Sequence, residues 1–144
     1  MRKLFILIIT LLSFGVHAQQ YADIEVGDTL YFAPCNGESY QYMDLYKKSR
    51  IDPRDTFNYD VLNDWEFYNT FFEFGDFDVS RVPCEYQYNF GIIKHIMAVE
   101  MPDSTASTPP TQIIVIVMIE YGLSAAYLVE NAFSEGEVYV SKRK

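Results

Sequence analysis

Hydrophobic positions fall in three rhythms along the chain. Leu4 to Phe14 is almost wholly apolar, several later segments alternate apolar with polar residues, and others repeat at helical spacing. Alternation every second residue marks a half-buried strand, whereas spacing of three to four marks an amphipathic helix. Glu25 to Phe32 and Ser39 to Tyr46 follow the strand rhythm, and Pro34, Asn36 and Gly37 punctuate the turn between them. On the second of these strands Tyr40, Tyr42, Asp44 and Tyr46 are expected on one face, with Met43 and Leu45 on the core face. Ile92 to Met101 is a long strand in which His95 alternates with Ile93, Met97 and Val99. Ile113 to Glu120 is the most apolar segment after the N-terminal run, so it is expected to be a central strand covered on both faces. The Pro-rich stretch Pro102 to Thr111 would join these two strands as a hairpin, and Val138 to Ser141 would close the sheet.

Two segments carry the helical rhythm. Val61, Leu62, Trp65, Tyr68 and Phe72 recur at that spacing, with Asp60 available as N-cap and Gly75 as a stop. Phe67, Phe71 and Phe74 make the same segment aromatic nearly all round. Ser124 is the expected N-cap of a second helix with Tyr127, Leu128, Ala132 and Phe133 on its apolar stripe, ended by Gly136. Lys47 to Asp60 reads as a loop, Gly75 to Cys84 as a turn-rich connector and Tyr86 to Phe90 as a short extended piece. Strands outnumber helices and do not alternate with them, which predicts an α+β fold: a mostly antiparallel sheet of about five strands with two helices packed on it. A partly open barrel of the OB type is the alternative.

The N-terminal run has a different destiny. Arg2 and Lys3 precede it, and Val16, His17 and Ala18 supply the small-x-small pattern read by signal peptidase. Residues 1–18 are therefore expected to be a cleaved secretory signal peptide, and residues 19–144 a single acidic domain. No stable membrane insertion is expected after cleavage. Cutting there leaves nine bases against 20 acids, a formal charge of −11, and His95 as the sole histidine. Such a domain repels phosphate backbones and attracts basic proteins. Cys35 and Cys84, in an oxidising compartment, are expected to form a disulfide.

Little catalytic chemistry is visible. His95 is the one candidate base for a Ser-His-Asp device, and Gly122-Leu123-Ser124-Ala125-Ala126 lacks the second glycine of a nucleophile elbow. His95 is better read as a satisfied histidine in or beside the core. Three Cys or His ligands are too few for structural zinc, and Asp76 and Asp78 around Phe77 fall short of a calcium loop. No glycine-rich nucleotide cradle occurs, so neither metal nor cofactor is expected.

The most unusual window is Asp55 to Ser80, which holds seven acids, nine aromatic residues and no lysine or arginine. One reading is a recognition surface built from Asp64, Trp65, Glu66, Phe67, Phe71, Glu73, Phe74, Asp76, Phe77 and Asp78, with aromatics as rigid contact area and carboxylates steering a basic partner. The other is an aromatic core helix whose acids form its wet face. Exposure of Phe67, Phe71, Phe74 and Phe77 decides between them. The leading functional expectation is an exported, non-enzymatic protein-binding domain of the bacterial envelope, an inhibitor or immunity factor against a basic toxin or hydrolase. A carbohydrate- or small-ligand-binding module stacking on Trp65 comes second, and a carboxylate-based glycosidase third.

Overall fold

A computed structural model describes residues 23–49, 63–100, 111–120 and 123–141, with the side chains of 123–129 left aside. The proposed leader and the segments expected as the 47–60 and 102–111 loops lie wholly or mostly outside the described residues.

The described chain is an α+β domain. Its strands are β1 (Thr29–Phe32), β2 (Ser39–Lys48), β3 (Phe77–Pro83), β4 (Phe90–Glu100), β5 (Thr111–Glu120), β6 (Leu123–Leu128) and β7 (Val138–Ser141). They form one seven-stranded sheet in the order β3-β2-β6-β5-β4-β1-β7. Every pairing is antiparallel. Helix α1 (Asp64–Tyr68) widens into a π-helical turn at Asn69–Glu73, and α2 (Val129–Ser134) leads into β7.

β5 is fourth of the seven strands, and its side chains feed two cores. Val115 and Val117 point into one, with Leu30, Phe32, Met43, Leu45, Ile93, Ala132 and Phe133. Ile116 points into the other, with Phe67, Phe71 and Met97. Helix α2 thus covers one face and α1 the opposite face. This two-sided burial explains why β5 is a continuous apolar run rather than an alternating one.

Two strands exceed the expected elements. Gly75 to Cys84, expected as a connector, contains β3, which shows no apolar alternation because it lies at the end of the sheet with Asp78, Val79, Ser80 and Arg81 all exposed. Leu123 to Leu128, expected as the start of the second helix, is β6. Glu120 pairs with Leu123 across a link of two residues, so β5 and β6 make a tight hairpin whose ladder with β5 and β2 outweighs the local helix preference of the Ala-containing segment. Ser124 therefore caps no helix.

The β2 irregularity also moves Tyr40. Expected on the outer face, it is buried in the first core beside Met43 and Leu45, and its hydroxyl donates to the Ala33 carbonyl. Near that point the Glu137 carboxylate accepts from the backbone amides of Gln41 and Tyr42 at 2.6 and 3.0 Å. A side chain next to β7 thus satisfies the start of β2 although the two strands sit far apart in sheet order. The sheet curls towards closure there but is not closed into a barrel. The Cys35–Cys84 disulfide, with Cα atoms 5.3 Å apart, joins the β1–β2 connection to the 3-10 turn Cys84–Tyr86 that precedes β4. No helix among the described residues is long and apolar enough to cross a membrane.

Candidate functional site

Within the described part of the acidic aromatic window, the helical segment that starts at Asp64 packs over the C-terminal half of β4. Asn63, rather than Asp60, caps α1: its side-chain oxygen accepts from the Glu66 amide at 2.9 Å. Asn69 ends the regular helix by donating its side-chain amide to the Trp65 carbonyl at 3.0 Å, and the Phe74 amide then reaches back to the Asn69 carbonyl, a π-type bond. The segment stops as expected at Gly75, for a packing reason. A Cβ there would lie 2.3 Å from the Phe71 carbonyl oxygen and 2.3 Å from the Phe77 ring.

The buried stripe of this helix is not the expected Trp65, Tyr68 and Phe72. It is Phe67 and Phe71, both fully buried, with rings stacked at 5.4 Å between centroids. Tyr68, Phe72 and Phe77 flank them around Tyr46, whose hydroxyl is pushed up to about 12 by burial, then by the charge of Asp44 and by Tyr68. With aromatics on every side, periodicity could not choose the inward face; the sheet surface of Met97 and Ile116 chose it.

The proposed recognition residues consequently divide. Phe67 and Phe71 are core and offer no contact to a partner. Phe77 is half-buried, while Phe74 and Trp65 stand out, at 80% and 72% exposure. Asp64, Glu66, Glu73, Asp76 and Asp78 are all exposed. Asp76 adopts a positive φ of 50° just before β3. No three Cys, His, Asp or Glu side chains converge into a metal-binding group among the described residues.

His95 owes its position to a bulge. The β4–β5 register runs Ile93 with Val117 and then His95 with Ile116, so Lys94 is an inserted residue. Ile93 consequently faces the first core, whereas His95 and Met97 face the second, and the expected single alternation is broken. The imidazole lies flat on Phe67 at 3.9 Å and its Nε2 is 3.2 Å from Asp64 Oδ1. The side chain is only 13% exposed. It is a positioning histidine that docks the first turn of α1.

A groove opens between that turn and the end of β4. Asp64, Trp65 and Tyr68 form one wall, Met97, Ala98, Val99 and Glu100 the other, and the volume is about 710 Å³. Val99 and Glu100 reached this site without any signal in the sequence, because only the fold brings the end of β4 beneath α1. The lining is apolar at its centre and carries carboxylates from Asp64 and Glu100, with no basic side chain among the described residues. Such a site suits an apolar stem ending in a positive charge. The two carboxylates of a glycosidase would need a shared, desolvated cleft. Asp28 is the buried acid among the described residues, and its carboxylate accepts from the Glu25 amide at 2.9 Å, far from Glu100 in the sheet.

Set against family models, curated proteins and solved structures, the chain matches none.

Proposed function

We propose that this is an exported, non-enzymatic binding domain that captures a basic protein, receiving a lysine or arginine side chain of that partner in the Trp65–Glu100 groove. The observation that carries the reading is the exposed indole of Trp65 beside an apolar groove whose charged lining, among the described residues, is acidic. A guanidinium stacked on an indole and paired with a carboxylate gains from both contacts, and it does so without needing catalytic groups. The negative balance of the whole chain adds long-range attraction for the same class of partner. The disulfide fits an oxidising destination, the periplasm or the cell exterior, where the domain acts as an inhibitor or immunity factor against a basic toxin or hydrolase.

The test uses the purified protein as bait against envelope and secreted fractions at low salt. The expected result is a stoichiometric basic partner that is released by raised salt and is no longer retained by Trp65→Ala or Glu100→Gln. Recovery of no such partner, or retention unchanged by both substitutions, refutes the reading. The same exposed indole supports a second reading, a sugar-stacking module. Trp65 is the single tryptophan, so its fluorescence responds directly to glycans if that reading holds, and silence across a glycan panel removes it.

A further inference from the structure

An acceptor without a donor lies beside the groove. Gln112 stands directly opposite Val99 in the β4–β5 ladder. Residues two apart on a strand share a face, so Gln112 is on the side of Ile114 and Ile116, which pack with Val99 in the second core. Directly opposed residues have their Cβ atoms about 4.5–5.5 Å apart, which brings the Gln112 amide within one side chain's reach of the groove wall at Val99. Its Oε1 is buried, and among the described residues it is the buried side-chain polar atom that has no hydrogen-bond partner. Such an acceptor destabilises the free protein, and an apolar side chain of the same shape would not. A ligand that brings an N–H donor offsets that cost.

The groove beside it suits a cation with donors better than one without. Sites that hold quaternary ammonium groups surround them with aromatic rings. Here the rings of Trp65 and Tyr68 stand on one wall only, and the facing wall is made by Met97 to Glu100 of β4. Glu100 pairs with Thr111, the neighbour of Gln112, so a carboxylate and the unpaired amide oxygen occur at the same end of the strand pair. The last torsion of a glutamine is soft, so the oxygen turns towards Val99 at little cost.

We propose that Gln112 is the specificity-determining residue of the groove: its amide oxygen accepts an N–H of a bound lysine ammonium, so the site takes the unmethylated head and rejects the trimethylated one. This rests on the reading of the groove as a receptor for a basic side chain and adds to it the part of the head that is recognised. Trimethylation keeps the positive charge and its attraction to the indole and the acids, but removes every N–H. The Gln112 oxygen is then left unpaired in the complex, and a site built to hydrogen-bond a donor discriminates against an analogue that lacks it.

The test titrates the purified protein with Nα-acetyl-lysine methylamide and with its Nε-trimethyl derivative, read through the fluorescence of Trp65, the single tryptophan. The unmethylated probe is expected to bind about 10- to 100-fold more tightly, the range of one hydrogen bond to a charged donor. This comparison needs no substitution. Gln112→Met, close in length and without the amide, should weaken the unmethylated probe by the same factor, leave the trimethylated one unchanged and raise the Tm. A glutamine with a purely structural role would give a lower Tm and weaken both probes alike. Equal affinity of the unsubstituted protein for the two probes, no response to either, or a Gln112→Met protein that still discriminates between them overturns the proposal. Capture of the basic partner separates this from the broader reading. If Trp65→Ala and Glu100→Gln release the partner while Gln112→Met retains it at full strength, the Gln112 assignment alone falls. If neither Trp65→Ala nor Glu100→Gln affects capture, the groove reading falls and takes the assignment with it.

Discussion

Replacing Phe67 by alanine tests whether the two cores are separable. The ring is fully buried, stacks on His95 at 3.9 Å and on Phe71 at 5.4 Å, and with Phe71 fastens α1 to Met97 and Ile116. Truncating a buried phenylalanine costs about 3–5 kcal/mol, which already includes much of the lost ring stacking. What remains on that face is Phe71 and its flanking rings, and a helical segment as short as Asp64–Glu73 does not persist by itself in water. The first core, by contrast, loses none of its buried residues. The expected outcome is local release of α1: a rise of roughly 150- to 5,000-fold in the open population of this segment, with the rest of the sheet intact.

Hydrogen exchange reads this directly. Three amides report on the helix: Glu66, bonded to the Asn63 side chain, Phe67, bonded to the Asn63 carbonyl, and Phe74, bonded to the Asn69 carbonyl. They should lose protection in Phe67→Ala. The amides of Phe32, Ala33 and Ile93, which bond Asn89, Glu137 and Asp28, should keep theirs. Partner capture should vanish together with the groove wall. Uniform loss of protection across both sets, with the whole cost falling on the main unfolding transition, would refute the reasoning and show a single cooperative unit.

Other expectations follow from the same packing. Replacing both Cys35 and Cys84 by serine opens a loop with a sequence separation of 49, and urea denaturation should show a loss of about 4 kcal/mol on the chain-entropy model. Gly75→Ala forces the new methyl against the Phe71 carbonyl and the Phe77 ring, and thermal melting should report about 1–3 kcal/mol of destabilisation. Tyr40→Phe removes the donor to the buried Ala33 carbonyl and should cost about 1–3 kcal/mol in the same assay. Tyr40 and Tyr46 are both pushed up to about 12, Tyr40 by burial and then by Glu137 and Tyr88. The folded state therefore holds these protons more tightly than the unfolded state, so stability should fall as pH rises from about 10 towards 12, with no such loss below pH 10. An alkaline melting series checks this, and Tyr46→Phe should lessen the loss while leaving the Tyr40 part.

The fold class was legible because its strongest cue is robust. A continuous apolar run such as Ile113 to Glu120 has few fates other than a doubly covered strand. What escaped was parity. A strand with a bulge presents two half-patterns out of phase, so Tyr40 was placed on the wrong face of β2 and His95 seemed to share a face with Ile93, while β3 looked like a connector because it is mostly exposed. β6 was hidden for another reason: its place between β2 and β5 comes from long-range pairing, which local propensity does not encode. The site was half legible. Composition marked Asp64, Trp65 and the acidic window, but it could not tell the anchoring Phe67 and Phe71 from the exposed Trp65 and Phe74, nor bring Val99 and Glu100 to them.

The Lys94 bulge connects these points. Were the same sequence a regular strand with Lys94 in the ladder, the face of β4 that carries Ile93 would also carry His95 and Met97, and α1 would meet a different row of side chains. With it, Ile93 stays in the first core while His95 and Met97 turn to the second, where one binds Asp64 and supports Phe67 and the other floors the groove. Asp64 is thereby held by its partner at the rim, Trp65 is directed outward because Phe67 is directed inward, and Val99 follows in phase towards the end of the strand. Exposure of the indole is thus a consequence of how the neighbouring phenylalanine is anchored. One extra backbone residue in the strand sets the face of a short helix, and that face decides which of the aromatic side chains is available to a partner.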